Sequence, residues 1–214
     1  MIAGPLFVAT FLVEGALRPD YDALRHPVSS LALGPRGWVQ VANFAVTGVL
    51  YLAFAIGLSR APRISVRTQI GPILIGAAAV GLIGAGVFTT DPVSGYPPGT
   101  PDALTEHTAA GVLHDLFSAP TFLALPVAAL VFAWSYRHDD CRWAWYSAGS
   151  ALVLLVAFGL ASAAFSQVPS LVDRGGLFQR VAVTTGFAWL TALAVRTLPT
   201  DSSDPAIFPP MKAT

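Results

Sequence analysis

Six long apolar runs divide this chain, and short polar connections separate them. They cover roughly residues 2–17, 38–58, 70–90, 107–134, 143–165 and 177–196. A hydrocarbon core about 30 Å thick takes about 20 helical residues to cross, which every run but the short first and long fourth approximates. Lipid offers no partner to a backbone amide, so runs of this kind must satisfy their own hydrogen bonds as helices. The expected fold class is all-α: a polytopic integral membrane six-helix bundle. It forms one domain over residues 1–198, followed by a disordered cytoplasmic tail at 199–214.

Composition excludes the main alternative, a globule with one large core. Only 11% of residues are charged, against about 25% in a typical soluble domain. Net charge is zero and no basic cluster stands out, so no nucleic-acid partner is expected. The single cysteine, Cys141, has no intrachain disulfide partner. No Lys or Arg precedes the apolar run from Ile2 to Val13, and Glu14 stands where a cleavage site would be sought. The run therefore reads as a retained first span rather than a signal peptide.

The most informative stretch is TTDPVSGYPPGTPDALTEHTAAGVLHD, residues 89–115. It leaves the third span, crosses a turn rich in Pro and Gly, and carries Glu106, His107, His114 and Asp115 toward the fourth. Thr100-Pro101 has the pattern of a helix cap followed by proline in the first turn, which predicts a fourth helix rising above the bilayer. Pro120 and Pro126 are expected to bend it. Earlier, Ser29 or Ser30 is suited to cap a short turn through Leu33, ended by Gly34 and Pro35. Gln40 and Asn43 are expected to face protein, and the small residues of the third span to serve close helix packing.

Six spans bring connections one, three and five to a single face. There they gather Glu14, Arg25, His26, Ser29, Asp91, Glu106, His107, His114, Asp115, Asp173 and Arg180. If the N-terminus is cytoplasmic, that side holds Arg60, Arg63, Arg67, Arg137, Arg142, Arg196 and Lys212, and the outside Arg18, Arg25, Arg36, Arg174 and Arg180. The bias favours both termini inside the cell membrane.

Ionisable groups at membrane depth are costly and mark candidate sites. His114 and Asp115 are candidate acid–base groups, with Glu14 as a further catalytic candidate. His26, Ser29, Asp91, His107 and Arg180 are candidate ligand-binding residues. His107 and His114, seven apart, would stand about 10 Å apart along one helix and cannot share a zinc ion. A site combining His114 with His26 and Asp91 stays open, but no metal is assigned. Glu14 and Arg18, four apart, also fit a simple ion pair, and Arg180 fits pairing with Asp173. No phosphate-binding, dinucleotide or nucleophile-elbow motif occurs, and no cofactor is expected.

The segments YDALRHPVSSLALGPRGWVQVANF, FTTDP, GVLHDLFSAP and GLFQR occur in that order across nearly the whole chain. In this the chain resembles the bacterial and archaeal integral membrane family known as domain of unknown function 998. The resemblance implies a six-span fold and carries no activity or catalytic assignment.

The sequence thus suggests binding of a lipid-like or amphipathic molecule in an outward-facing polar pocket roofed by connections one and three. Membrane lipids or a terpenoid-like small molecule would be the partners. An intramembrane hydrolase, isomerase or cyclase using His114 and Asp115 is the first alternative. A non-catalytic assembly subunit is the second.

Overall fold

The computed structural model describes residues 2–61 and 69–197. Arg63, Arg67, Lys212 and the tail at 199–214 lie outside the described residues. Six α-helices form, with no strand among the described residues: α1 (Ala3–Leu17), α2 (Gly37–Ser59), α3 (Ile70–Val87), α4 (Ala109–Tyr136), α5 (Cys141–Phe165) and α6 (Gly175–Thr197). Helices α2 to α6 are long and apolar enough to cross a membrane. Helix α1 has 15 residues, about 22 Å at 1.5 Å per residue, and is shorter than a hydrocarbon core. The protein is an all-α, multi-pass membrane bundle.

Each helix from α2 to α6 packs beside the next in the chain, and α1 lies between α2 and α6 to close the ring. Small residues set the spacing. A side chain at Gly81 or Gly84 of α3 would collide with Phe117 of α4, and one at Gly48 of α2 with Ala79 and Ile83 of α3. These contacts bring backbones close where lipid supplies no hydrophobic drive between helices. Gln40 and Asn43 are buried, and Asn43 Nδ2 donates to the Phe7 carbonyl at 3.2 Å, tying α2 to α1. Leu116, Leu123, Leu130 and Leu152 stay exposed on the outside, as an apolar solvent permits.

The first connection contains a 3-10 turn at Val28–Ala32, ended by Leu33 and by Gly34 with φ +76°. A residue other than glycine at 34 would be strained there. The turn presses on the start of α2 so closely that a side chain at Gly37 would collide with the Ala32 carbonyl. Connections one, three and five meet at one end of the bundle, where Arg25 pairs with Asp102 at 2.8 Å and with Asp173 at 2.9 Å. The shared face of the odd-numbered connections is therefore a contact in the structure.

The start of α4 differs from the sequence expectation. Residues 101–108 are not helical, and the helix begins at Ala109. Thr108 caps it, its hydroxyl accepting from Gly111 N at 3.0 Å, whereas the Thr100 hydroxyl donates back to the Pro97 carbonyl at 2.7 Å. Thr108 takes the cap because the Asp91 carboxylate supports it. His107 accordingly precedes α4, so the expected His107–His114 spacing on one helix does not apply.

Candidate functional site

A cavity of about 430 Å³ lies inside the ring. Every helix contributes an apolar wall residue: Phe7, Phe44, Leu82, Phe122, Phe158 and Phe187. Toward connections one and three the lining becomes polar, with Ser29, Thr90, His107, His114, Asp115 and Ser118. Among the described residues no Lys or Arg lines it. Both the volume and the apolar wall with few polar groups suit a small-molecule site.

The cavity is open on one flank. Its exposed lining residues are His107, Asp115, Ser162 and Ser166, all at the start of α4 or the end of α5. Lining residues from α1, α2, α3 and α6 are buried or half-buried. Deeper in the bundle, Phe122 of α4 and Phe158 of α5 stack with centroids 4.5 Å apart and close the gap. The exposed part of the lining therefore stands at the polar end of α4 and α5, beside the connections, with this aromatic pair deeper in the bundle.

His114 is fixed by the end of α3. Its Nδ1 stands 2.9 Å from the Phe88 carbonyl and 3.0 Å from the Ala85 carbonyl. Carbonyls only accept, so Nδ1 carries the proton, and in that tautomer Nε2 is the nitrogen left to accept. The same contact satisfies carbonyls at a helix end, which have no partner within the helix. His114 is buried, while Asp115, the next residue, is exposed at the mouth. Asp115 makes no hydrogen bond or ion pair among the described residues.

The other candidates divide between lining and scaffold. Ser29 lines the roof and His107 the rim. His107 Nδ1 is also 3.5 Å from Asp91 Oδ2. Asp91 itself does not line the cavity. Its carboxylate accepts from Thr108 N at 3.0 Å and from the Thr108 hydroxyl at 2.7 Å. It sits at the positive end of the α4 dipole, and a side chain at Gly111 would collide with it.

Glu14 is likewise held elsewhere. It is buried and pairs with Arg36 and with Arg18, the latter at 3.6 Å. Arg18 in turn donates to the Leu33 and Leu31 carbonyls of the 3-10 turn at 2.6 and 3.0 Å. The anticipated Glu14–Arg18 pair thus belongs to a cluster that fastens connection one, away from His114 and Asp115.

Arg180 does not pair with Asp173, which Arg25 takes. Its guanidinium donates to the Ala23, His26 and Gly176 carbonyls and, at 2.6 Å, to the Tyr21 hydroxyl. That fork is occupied by connection one. His26 accepts from Asp22 N through Nδ1 at 2.9 Å and packs against the Tyr96 ring. Burial pushes its pKa below the ordinary histidine value; Asp22 raises it, and Arg25 and Arg180 lower it. Among the described residues no three His, Cys, Asp or Glu side chains gather as metal ligands.

Sequence reasoning missed the aromatic wall and Ser118, Ser162 and Gln179. Aromatics scattered one per helix carry no local pattern, since only the ring closure brings them together. Gln179 lines the cavity and accepts from Val28 N at 2.7 Å, holding the roof to α6. Its place beside Arg180 in the GLFQR segment was the available signal.

A family model described as "Protein of unknown function (DUF998)" matches residues 1–196. No curated protein and no solved structure matches the chain.

Proposed function

The chain belongs to the DUF998 family, and from that premise, which carries no activity, we propose that it binds a lipid-like or amphipathic molecule in the cavity between its six helices. One observation carries the reading: the lining passes from aromatic to polar, and its exposed residues stand at the ends of α4 and α5, two helices long and apolar enough to cross a membrane. A ligand that partitions into the bilayer can reach the cavity there without crossing water. Its tail would lie against Phe122, Phe158 and Phe187, and its head near His114 and Asp115.

The reading sets both termini in the cytoplasm and the polar end outward, with α1 as a sixth, short span. The arginine-rich second connection and the third connection without Lys or Arg support that orientation. Cysteine placed at Asp102 is then labelled from outside intact cells. The cavity reading is tested by native mass spectrometry of purified protein. Wild type retains a bound amphiphile, and Ala119→Trp, which fills the half-buried lining at Ala119, releases it. Retention of the same mass by both proteins overturns the assignment.

A second reading is favoured by the fixed tautomer of His114. An Nε2 acceptor beside a carboxylate suits proton abstraction from, or return to, a bound lipid-like substrate. In that case Asp115→Asn leaves ligand retained and removes turnover, which separates catalysis from binding.

A further inference from the structure

The polar end of the cavity is built from acceptors, and that restricts the head group it can take. Four observations bear on this. His114 commits its Nδ1–H to two carbonyls, and in that tautomer Nε2 is the nitrogen left to accept. Asp115 is a carboxylate with no ion-pair partner among the described residues, and it stands at the mouth. No Lys or Arg lines the cavity among the described residues. Four arginines of this end are engaged in the scaffold, Arg18 and Arg36 on Glu14, Arg25 on Asp102 and Asp173, and Arg180 on connection one, and Arg174 does not line the cavity.

His107 is the lining group that comes nearest to an exception, and its Nδ1 is turned to Asp91. A phosphate or carboxylate head would meet the Asp115 carboxylate with no Lys or Arg in the lining among the described residues, which is unfavourable. A head that donates hydrogen bonds and bears no negative charge would find Asp115 and His114 Nε2 already placed. The serine hydroxyls of Ser118 and Ser162 can turn to suit it. We infer that the occupant is a single-chain amphiphile with a hydrogen-bond-donating head, an alkyl amine best and an alkyl alcohol next, entering between α4 and α5. This rests on the reading of the cavity as a lipid-like binding site.

The amine is ranked first because a charge-assisted bond to a carboxylate is roughly twice as strong as a neutral one. The experiment compares dodecylamine, dodecanol and dodecyl phosphate, which share one tail. Each is titrated into full-length protein in nanodiscs of zwitterionic phospholipid, and tryptophan fluorescence reads binding. Asp115→Asn is measured beside wild type, so that partitioning into the bilayer cancels. Asp115 is exposed, and its amide keeps the shape of the side chain.

The expected result is an order amine, alcohol, phosphate. Asp115→Asn weakens the amine about tenfold and the alcohol by less than about threefold. If phosphate binds as tightly as amine, or if Asp115→Asn leaves the amine unchanged, the head-group assignment fails while the cavity reading stands. If none of the three binds, or if Ala119→Trp binds them all as wild type does, both fail.

Discussion

His114 Nδ1 stands 2.9 Å from the Phe88 carbonyl, across the packed pair α3 and α4. One imidazole thereby closes a helix end and presents its other nitrogen to the cavity, so its structural and chemical roles separate by atom. His114→Asn can place an amide N–H near the position of Nδ1, whereas His114→Ala leaves the Ala85 and Phe88 carbonyls without that donor. Alanine should cost about 1–3 kcal/mol, and asparagine less than half of that loss. Both should lose the Nε2 contribution to ligand binding. Thermal unfolding in detergent and ligand titration measure the two effects apart; equal destabilisation by both variants would contradict the tautomer.

Asp91 and Gly111 form one unit at the start of α4. Asp91→Ala removes both bonds to Thr108 and a charge at the helix N-terminus, a loss of about 1–2 kcal/mol. Gly111→Ala should cost at least as much, because its new methyl collides with the carboxylate. With Asp91 already alanine, Gly111→Ala should cost clearly less. A double-mutant cycle in denaturant checks this coupling, and strict additivity would separate the two residues.

His26 gives the fold an acid-sensitive component. Burial lowers its folded-state pKa, and Nδ1 accepts from Asp22 N, so the folded chain holds the ring neutral. The unfolded chain takes up a proton below its ordinary value of about 6.5. Stability from this residue is therefore complete above that pH and is lost as pH falls from there toward the lower folded value. His26→Asn can still accept from Asp22 N but does not titrate. Denaturation midpoints between pH 8 and pH 5 should fall less steeply in the variant than in wild type.

Arg25 and Arg180, both at the polar end, should differ sharply. Arg25 joins three connections, but its partners Asp102 and Asp173 are largely exposed. Each pair is then worth about 0–1 kcal/mol. Arg25→Ala should barely move the unfolding midpoint while raising proteolysis within residues 93–106. Arg180 reaches three carbonyls and Tyr21 through one planar fork that lysine cannot reproduce. Arg180→Lys should lower stability by about 2 kcal/mol or more. Circular dichroism melting compares them directly.

Much of this architecture is legible in the apolar runs, because lipid permits helices and little else. The end of the short turn and the meeting of odd-numbered connections follow from Gly34, Pro35 and chain reversal, but Ser29 and Ser30 lie inside the turn, which starts after Pro27 without a side-chain cap. The start of α4 does not. Thr100-Pro101 is a better local cap than Thr108, yet Asp91, 17 residues away, decides the matter by supporting Thr108. Glu14, Asp91 and Arg180 share a face with His114 in any six-helix reading. Their commitment to scaffold contacts depends on which carbonyls the folded connections present, and no spacing rule encodes that. The exposed cavity lining at the ends of α4 and α5, and the Phe122–Phe158 stack deeper in, are relations between two helices rather than a motif in either.

Covalent mapping tests the central claim most directly: that the bundle admits an amphiphile from the bilayer between α4 and α5. A long-chain amine bearing a diazirine at the middle of its tail is photolysed with full-length protein in nanodiscs, and adducts are located by peptide mass spectrometry. The account predicts adducts at the cavity-lining positions of residues 118–122 and 158–165, reduced by Ala119→Trp and by excess dodecylamine. Adducts confined to outward-facing positions such as Leu130 and Leu152, unchanged by either, would contradict it.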